Sequence, residues 1–99
     1  MKPINILFDE QYDDVDIALV PDEIAFSIEQ TVQEFFAWLE MPENKSRFMK
    51  PHEKWGEVLN IDTEEFLWWL NHVKIADTEK ATILQQHTSF VKEYPTADF

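Results

Sequence analysis

Residues 77–94 read DTEKATILQQHTSFVKEY, and the way this stretch is read decides the architecture of the whole chain. Asp77 or Thr78 is placed to cap a helix. Ile83, Leu84, His87, Phe90, Val91 and Tyr94 then fall along one side of it at helical spacing. The helix is expected to run to about Glu93, with Pro95 as its stop. His87 sits in the middle of the apolar stripe. It is read as a core histidine with a hydrogen-bond partner, so charging it in acid is expected to destabilise the fold.

Working outward, the preceding segments support the same picture. Asp62 caps a helix over about Thr63 to Val73, with Glu65 three residues on completing a capping box. Its inward stripe is Phe66, Trp69, Leu70 and Val73. Pro51 to Leu59 reads as a short helix, weakened by Gly56, and residues 42–50 as a connector. Pro21, Asp22 and Glu23 suit a helix start, and Ile24, Ile28, Val32, Phe35 and Leu39 form its buried stripe up to Glu40. Residues 3–8, PINILF, and 15–20, VDIALV, are short apolar runs compatible with strands, a short helix or an extended arm. The expected fold is mainly α: a small bundle of three to four helices over 21–95, with an extended or short β-hairpin N-terminal segment over 1–20 and a frayed tail over 96–99. Phe26 lies off its stripe and is expected to be covered by residues 3–20.

Ninety-nine residues, 44% hydrophobic, suit one domain with its own core and exclude a disordered chain despite a net charge of −12. A single glycine excludes both common phosphate-cradling loops. The absence of cysteine excludes disulfides and a structural zinc site, and fits a reducing compartment. His52, His72 and His87 are far apart in sequence, and no serine lies in a nucleophile-elbow context. An EF-hand loop beginning at Asp9 would need Gly at its sixth position and Glu at its twelfth, and has Asp14 and Val20. No metal or other cofactor is expected, and no enzymatic activity. The N-terminus does not read as a signal peptide, and no apolar run approaches the roughly 18 residues of a membrane span. A soluble cytoplasmic protein is expected.

The charge is one-sided. Residues 1–44 carry eleven acids against Lys2 alone, a net of −10, whereas residues 45–99 carry nine acids and seven bases, a net of −2. Residues 8–23, FDEQYDDVDIALVPDE, hold Asp9, Glu10, Asp13, Asp14, Asp16, Asp22 and Glu23 with no base among them. Charged surfaces that stabilise helices interleave signs; this segment does not. Such a face attracts a basic surface and repels nucleic acid and anionic membranes. Trp68 points away from the Phe66 stripe, with Glu64 a turn before it, Glu65 nearby and His72 a turn after. That is the composition of an acid-ringed aromatic contact, although a helix buried on two sides would place Trp68 against a second layer.

FFAWLE, WGEVLNI and EEFLWWLNHV, within residues 34–73, resemble bacterial domains of the contact-dependent growth-inhibition immunity type. In kind the chain is similar to the small acidic immunity and antitoxin proteins. The resemblance implies a non-catalytic protein that neutralises a nuclease-type toxin by covering its basic cleft; it carries over no residue, and the acid cluster and the surroundings of Trp68 give Asp9, Glu10, Asp13, Asp14, Asp16, Asp22, Glu23, Glu64, Glu65, Trp68 and His72 as candidate contacts. The alternative is an adaptor, a regulatory subunit or a phage-encoded mimic of DNA.

Overall fold

In the computed structural model, which describes residues 1–76 and 79–99, the two N-terminal apolar runs are strands. β1 spans Lys2–Leu7 and β2 spans Val15–Val20, paired antiparallel from Lys2 opposite Val20 to Ile6 opposite Asp16. Alternation sends Ile4, Ile6, Ala18 and Val20 to one face, and Asn5, Leu7, Val15 and Ile17 to the other. Both sets are buried, so these are interior strands.

The chain is a mixed α/β protein, not a helical bundle. A four-stranded sheet in the order β5-β2-β1-β6 carries helices on one face, and a separate two-stranded hairpin, β3–β4, stands beside it. The 77–93 helix is overturned first. Thr82–Thr88 is strand β5, antiparallel to β2. Its capping residues, Asp77 and Thr78, lie outside the described residues. The apparent helical stripe divides between two structures, with Ile83 and Leu84 on β5 and Phe90, Val91 and Tyr94 on the segment after it. His87 is exposed, its side chain 80% accessible, and is no core residue. The supposed tail, Thr96–Asp98, is strand β6, parallel to β1.

The helices are shorter than expected. The 22–40 segment breaks at Ser27, whose backbone leaves helical geometry, giving α1 (Asp22–Phe26) and α2 (Ile28–Leu39). Phe26 is 83% exposed, so residues 3–20 do not cover it. The connector forms α3 (Pro42–Lys45) and a single 3₁₀ turn. Residues 51–59 are not helical. β3 (Met49–His52) and β4 (Gly56–Leu59) make a hairpin, and Gly56 adopts a φ of +75° at the turn. The expected capping box is present on α4 (Thr63–Trp69): Asp62 N–H donates to Glu65 Oε1 (2.9 Å), and Thr63 N–H donates to Asp62 Oδ1 (2.8 Å). Residues 70–74 widen into a π turn, which rotates Val73 out of the stripe and leaves it exposed.

On the helix face, Phe35 is the hub. Its ring meets Phe66 edge-on at 5.4 Å and Trp69 at 5.3 Å, over Ile4, Ile6, Ala18 and Val20. On the other face, Leu7, Val15 and Ile17 are covered by Phe90, Val91 and Tyr94. That cover is a topological necessity. β5 and β6 both run parallel to β1 at opposite edges of the sheet. Residues 89–95 must therefore cross two strands on one face.

Asn5, fully buried beneath this crossover, holds it. Its Nδ2 donates to the carbonyls of Val91 (2.8 Å) and Tyr94 (3.3 Å) and to Thr96 Oγ1 (3.3 Å), and its Oδ1 accepts from Val91 N–H (3.0 Å). Asn71 does the same at the start of β5. It donates to Ala81 O (3.0 Å) and accepts from Ala81 N–H (2.7 Å). Replacing Asn5 by Leu strands the Val91 amide in an apolar layer. The change is expected to cost about 2–4 kcal/mol, read as a lower urea midpoint at unchanged slope. A loss below about 1 kcal/mol would mean that the crossover does not depend on Asn5.

Candidate functional site

The β1–β2 connection begins with a tight turn closed by Gln11 N–H to Phe8 O (3.2 Å), and its two central residues, Asp9 and Glu10, have φ of +54° and +58°. Two successive left-handed residues match the twist of the flanking strands, and the geometry favours Asn, Asp and Gly, so that Asp9 suits its position and Glu10 does not. Here two carboxylates occupy it. Asp13 and Asp14 follow in a second turn closed by Asp14 N–H to Gln11 O (3.1 Å). All four acids are exposed.

Asp16 is different. It projects from β2 on the helix face, opposite Ile6, and its Oδ2 accepts a short hydrogen bond from the buried Thr63 hydroxyl, while its Oδ1 accepts from His87 N–H (3.1 Å). One carboxylate therefore ties the N-terminus of α4 and the bulged end of β5 to the centre of the sheet. This brings Asp62, Glu64 and Glu65 beside the acidic turn. Asp9, Asp14, Asp16 and Asp62 line one cleft of about 270 Å³ together with His87. Eight carboxylates gather at this end. Among the described residues, the only ion pair made by any of them is Asp14 Oδ1 with His87 Nδ1 (2.7 Å). No group of three acids or histidines among the described residues is arranged to hold a metal ion.

The remaining candidates lie elsewhere. Asp22 and Glu23 follow β2 at its far end, roughly 20 Å along the strand, and Asp22 pairs with the amino group of Met1 (3.0 Å). The acidic stretch thus does not form one face. Trp68 is half-buried, as a second layer would make it. Phe48 meets it edge-on at 5.8 Å, His72 stacks on it at 4.6 Å, and the Arg47 guanidinium lies 4.8 Å from its ring centre. Glu64 and His72 are exposed on the same outward stripe of α4, while Glu65 is occupied in the capping box.

The sequence reading used Asp62 only as a cap and placed His87 in a core, so it missed that both belong to the acidic cleft. The signal available was Thr63, a hydroxyl on a buried helix face that needs an acceptor. Comparison with protein-family profiles, with curated proteins and with solved structures finds no match. The functional reading rests on this site.

Two outcomes follow from the geometry. The hydrogen bond to Asp14, and then its charge, raise the His87 pKa above 6.5, with Asp16 and Asp62 adding to the effect. Because the folded value lies above the unfolded one, the contribution is complete below pH 6.5 and is lost as pH rises through the folded value. This sign is opposite to that of a core histidine. Urea melts of the wild type and Asp14→Asn should therefore differ most just below pH 6.5 and converge once the pH passes the raised folded value; a gap that widens with rising pH would contradict the pairing. Separately, Glu10→Gly removes a left-handed side chain and is expected to stabilise the chain by about 1 kcal/mol, with the thermal midpoint rising by about 4–8 °C. An unchanged or lower midpoint would remove the claim of strain in this turn.

Proposed function

We propose that this chain is a non-catalytic binding protein that presents the carboxylate end of its sheet to a basic surface on another protein. The observation that carries the reading is the occupancy of the tip turn. Glu10 stands at a left-handed position that glycine or asparagine would fill with less strain, and Asp9 and Glu10 sit next to six further carboxylates with no Lys or Arg partner among the described residues. Like charges crowded on a strained turn lower stability, and residues held at such cost elsewhere in proteins mark functional positions.

The chemistry follows from the field. A concentrated negative end draws a cationic surface, accelerates encounter and turns away nucleic acid and anionic lipid. The specific form we infer is inhibition by occlusion, the immunity-type role: carboxylates stand where a nuclease holds substrate phosphates, and no catalytic group is required. Asp9, Glu10, Asp13 and Glu64 are the exposed contacts in this reading. Asp16 is a structural carboxylate, and Asp22 and Glu23 are too far away to take part.

The test uses the partner captured by the immobilised chain from its native cells. Converting Asp9, Glu10 and Asp13 to their amides should lower the association rate about tenfold at low ionic strength and leave the dissociation rate nearly unchanged. The wild-type rate should fall steeply with added salt. A rate indifferent to both changes would overturn the proposal.

A further inference from the structure

We propose that the groove between α2 and the edge strand β6 is a strand-addition site for an extended, lysine- or arginine-bearing segment of a partner protein. This rests on the reading of the chain as a binder of basic proteins, but it uses a separate surface.

β6 lies at the sheet edge beyond β1. Pro95 O accepts from Asn5 N–H (2.9 Å), and Phe99 N–H donates to Leu7 O (2.9 Å), so the odd-numbered backbone groups face β1. Strand alternation then turns the N–H and C=O of Thr96 and Asp98 outward. These two donors and two acceptors are a template for one more strand.

Beside them lies an open groove of about 550 Å³. Leu7, Val32, Phe36 and Phe90 give it an apolar lining, and Glu29 and Asp98 give it charge, with no Lys, Arg or His among the lining residues. Its end is fixed, because Phe90 N–H donates to Tyr12 O (2.8 Å) and the two rings meet edge-on at 5.3 Å. An added strand turns alternate side chains to the α2 side, where Glu29 stands with Val32 and Phe36, and to the crossover side, where Asp98 stands with Leu7 and Phe90. A segment that carries both bases and apolar residues on each of its two sides matches that pattern. A second copy paired through β5, TILQQHT, the other edge of the four-stranded sheet, does not match it, because β5 brings no Lys or Arg to Glu29 and Asp98.

The probe is a short fluorescein-labelled peptide of Lys-Lys-Val-Val repeats, which puts both residue types on each side of a strand, titrated into the full chain and followed by anisotropy and by amide NMR spectra. Binding is expected to shift the amides of Thr96 and Asp98. The same peptide N-methylated on alternate residues keeps its charge but cannot pair along the edge, and should bind about tenfold more weakly or worse. Glu29→Lys with Asp98→Lys should abolish binding, while amides at Asp9, Glu10 and Asp13 should leave it in place. Equal binding of the N-methylated peptide, or shifts confined to residues 9–14, would overturn the groove and leave the carboxylate-end reading standing. Self-association that shifts Thr96 and Asp98 without peptide would overturn it in favour of a second copy.

Discussion

The hydrogen bonds that Asn5 makes with the 89–95 crossover are the constraint on which the rest of the structure depends. β5 and β6 run in the same direction at opposite edges of the sheet, and the segment joining them must lie flat across β2 and β1. A backbone laid over an apolar face has polar groups that water cannot reach, and each needs a partner. Asn5 meets the Val91 amide and carbonyl with one side chain and reaches Tyr94 O and Thr96 Oγ1 as well. Fixing the crossover delivers β6 to β1. β6 in turn brings Ala97 into the helix-face core and Phe99 against Phe35, Phe66 and Phe8.

A second polar contact sets the character of the exposed end. Thr63 on Asp16 docks α4 by its N-terminus, so the acids that cap that helix stand beside the acids of the hairpin turn. Like charges are thereby concentrated by a hydrogen bond that a neutral hydroxyl donates to one of them. Three of the basic residues are engaged elsewhere: Lys74 with Glu34, Arg47 over Trp68, and Lys80 on the carbonyls of Asn71 (2.7 Å) and Ala76 (2.9 Å). Among the described residues, no Lys or Arg forms an ion pair with this end. No helix among the described residues is long and apolar enough to cross a membrane.

Local chemistry was legible in the sequence where local forces decide. The Asp62–Glu65 capping box, the buried stripe Ile28, Val32, Phe35 and Leu39, and the strand character open to PINILF and VDIALV all appear in the fold. The C-terminal third was misread because its structure is set from afar. Thr82–Thr88 carries apolar residues at a spacing that a helix also satisfies, and it becomes a strand because β2 offers an edge and Asn71 pins Ala81 at its start. Pro51 to Leu59 read as a helix where Gly56, with its positive φ, closes a hairpin. The one-sided acidity was visible from composition, but its division between the two ends of β2 was not. Asn5 inside an apolar run was the neglected signal: a polar residue on a buried strand face needs partners, and its partners lay 86 and more residues away.

The central claim is that the hairpin turn and the start of α4 form one uncompensated negative surface. Paired cationic and anionic nitroxide probes measure that field directly through paramagnetic relaxation of backbone amides, with no partner required. The account predicts strong enhancement by the cationic probe and weak enhancement by the anionic one at residues 9–14 and at 62–65 alike. Equal effects of the two probes, or a contrast at the hairpin that is missing at 62–65, would contradict it.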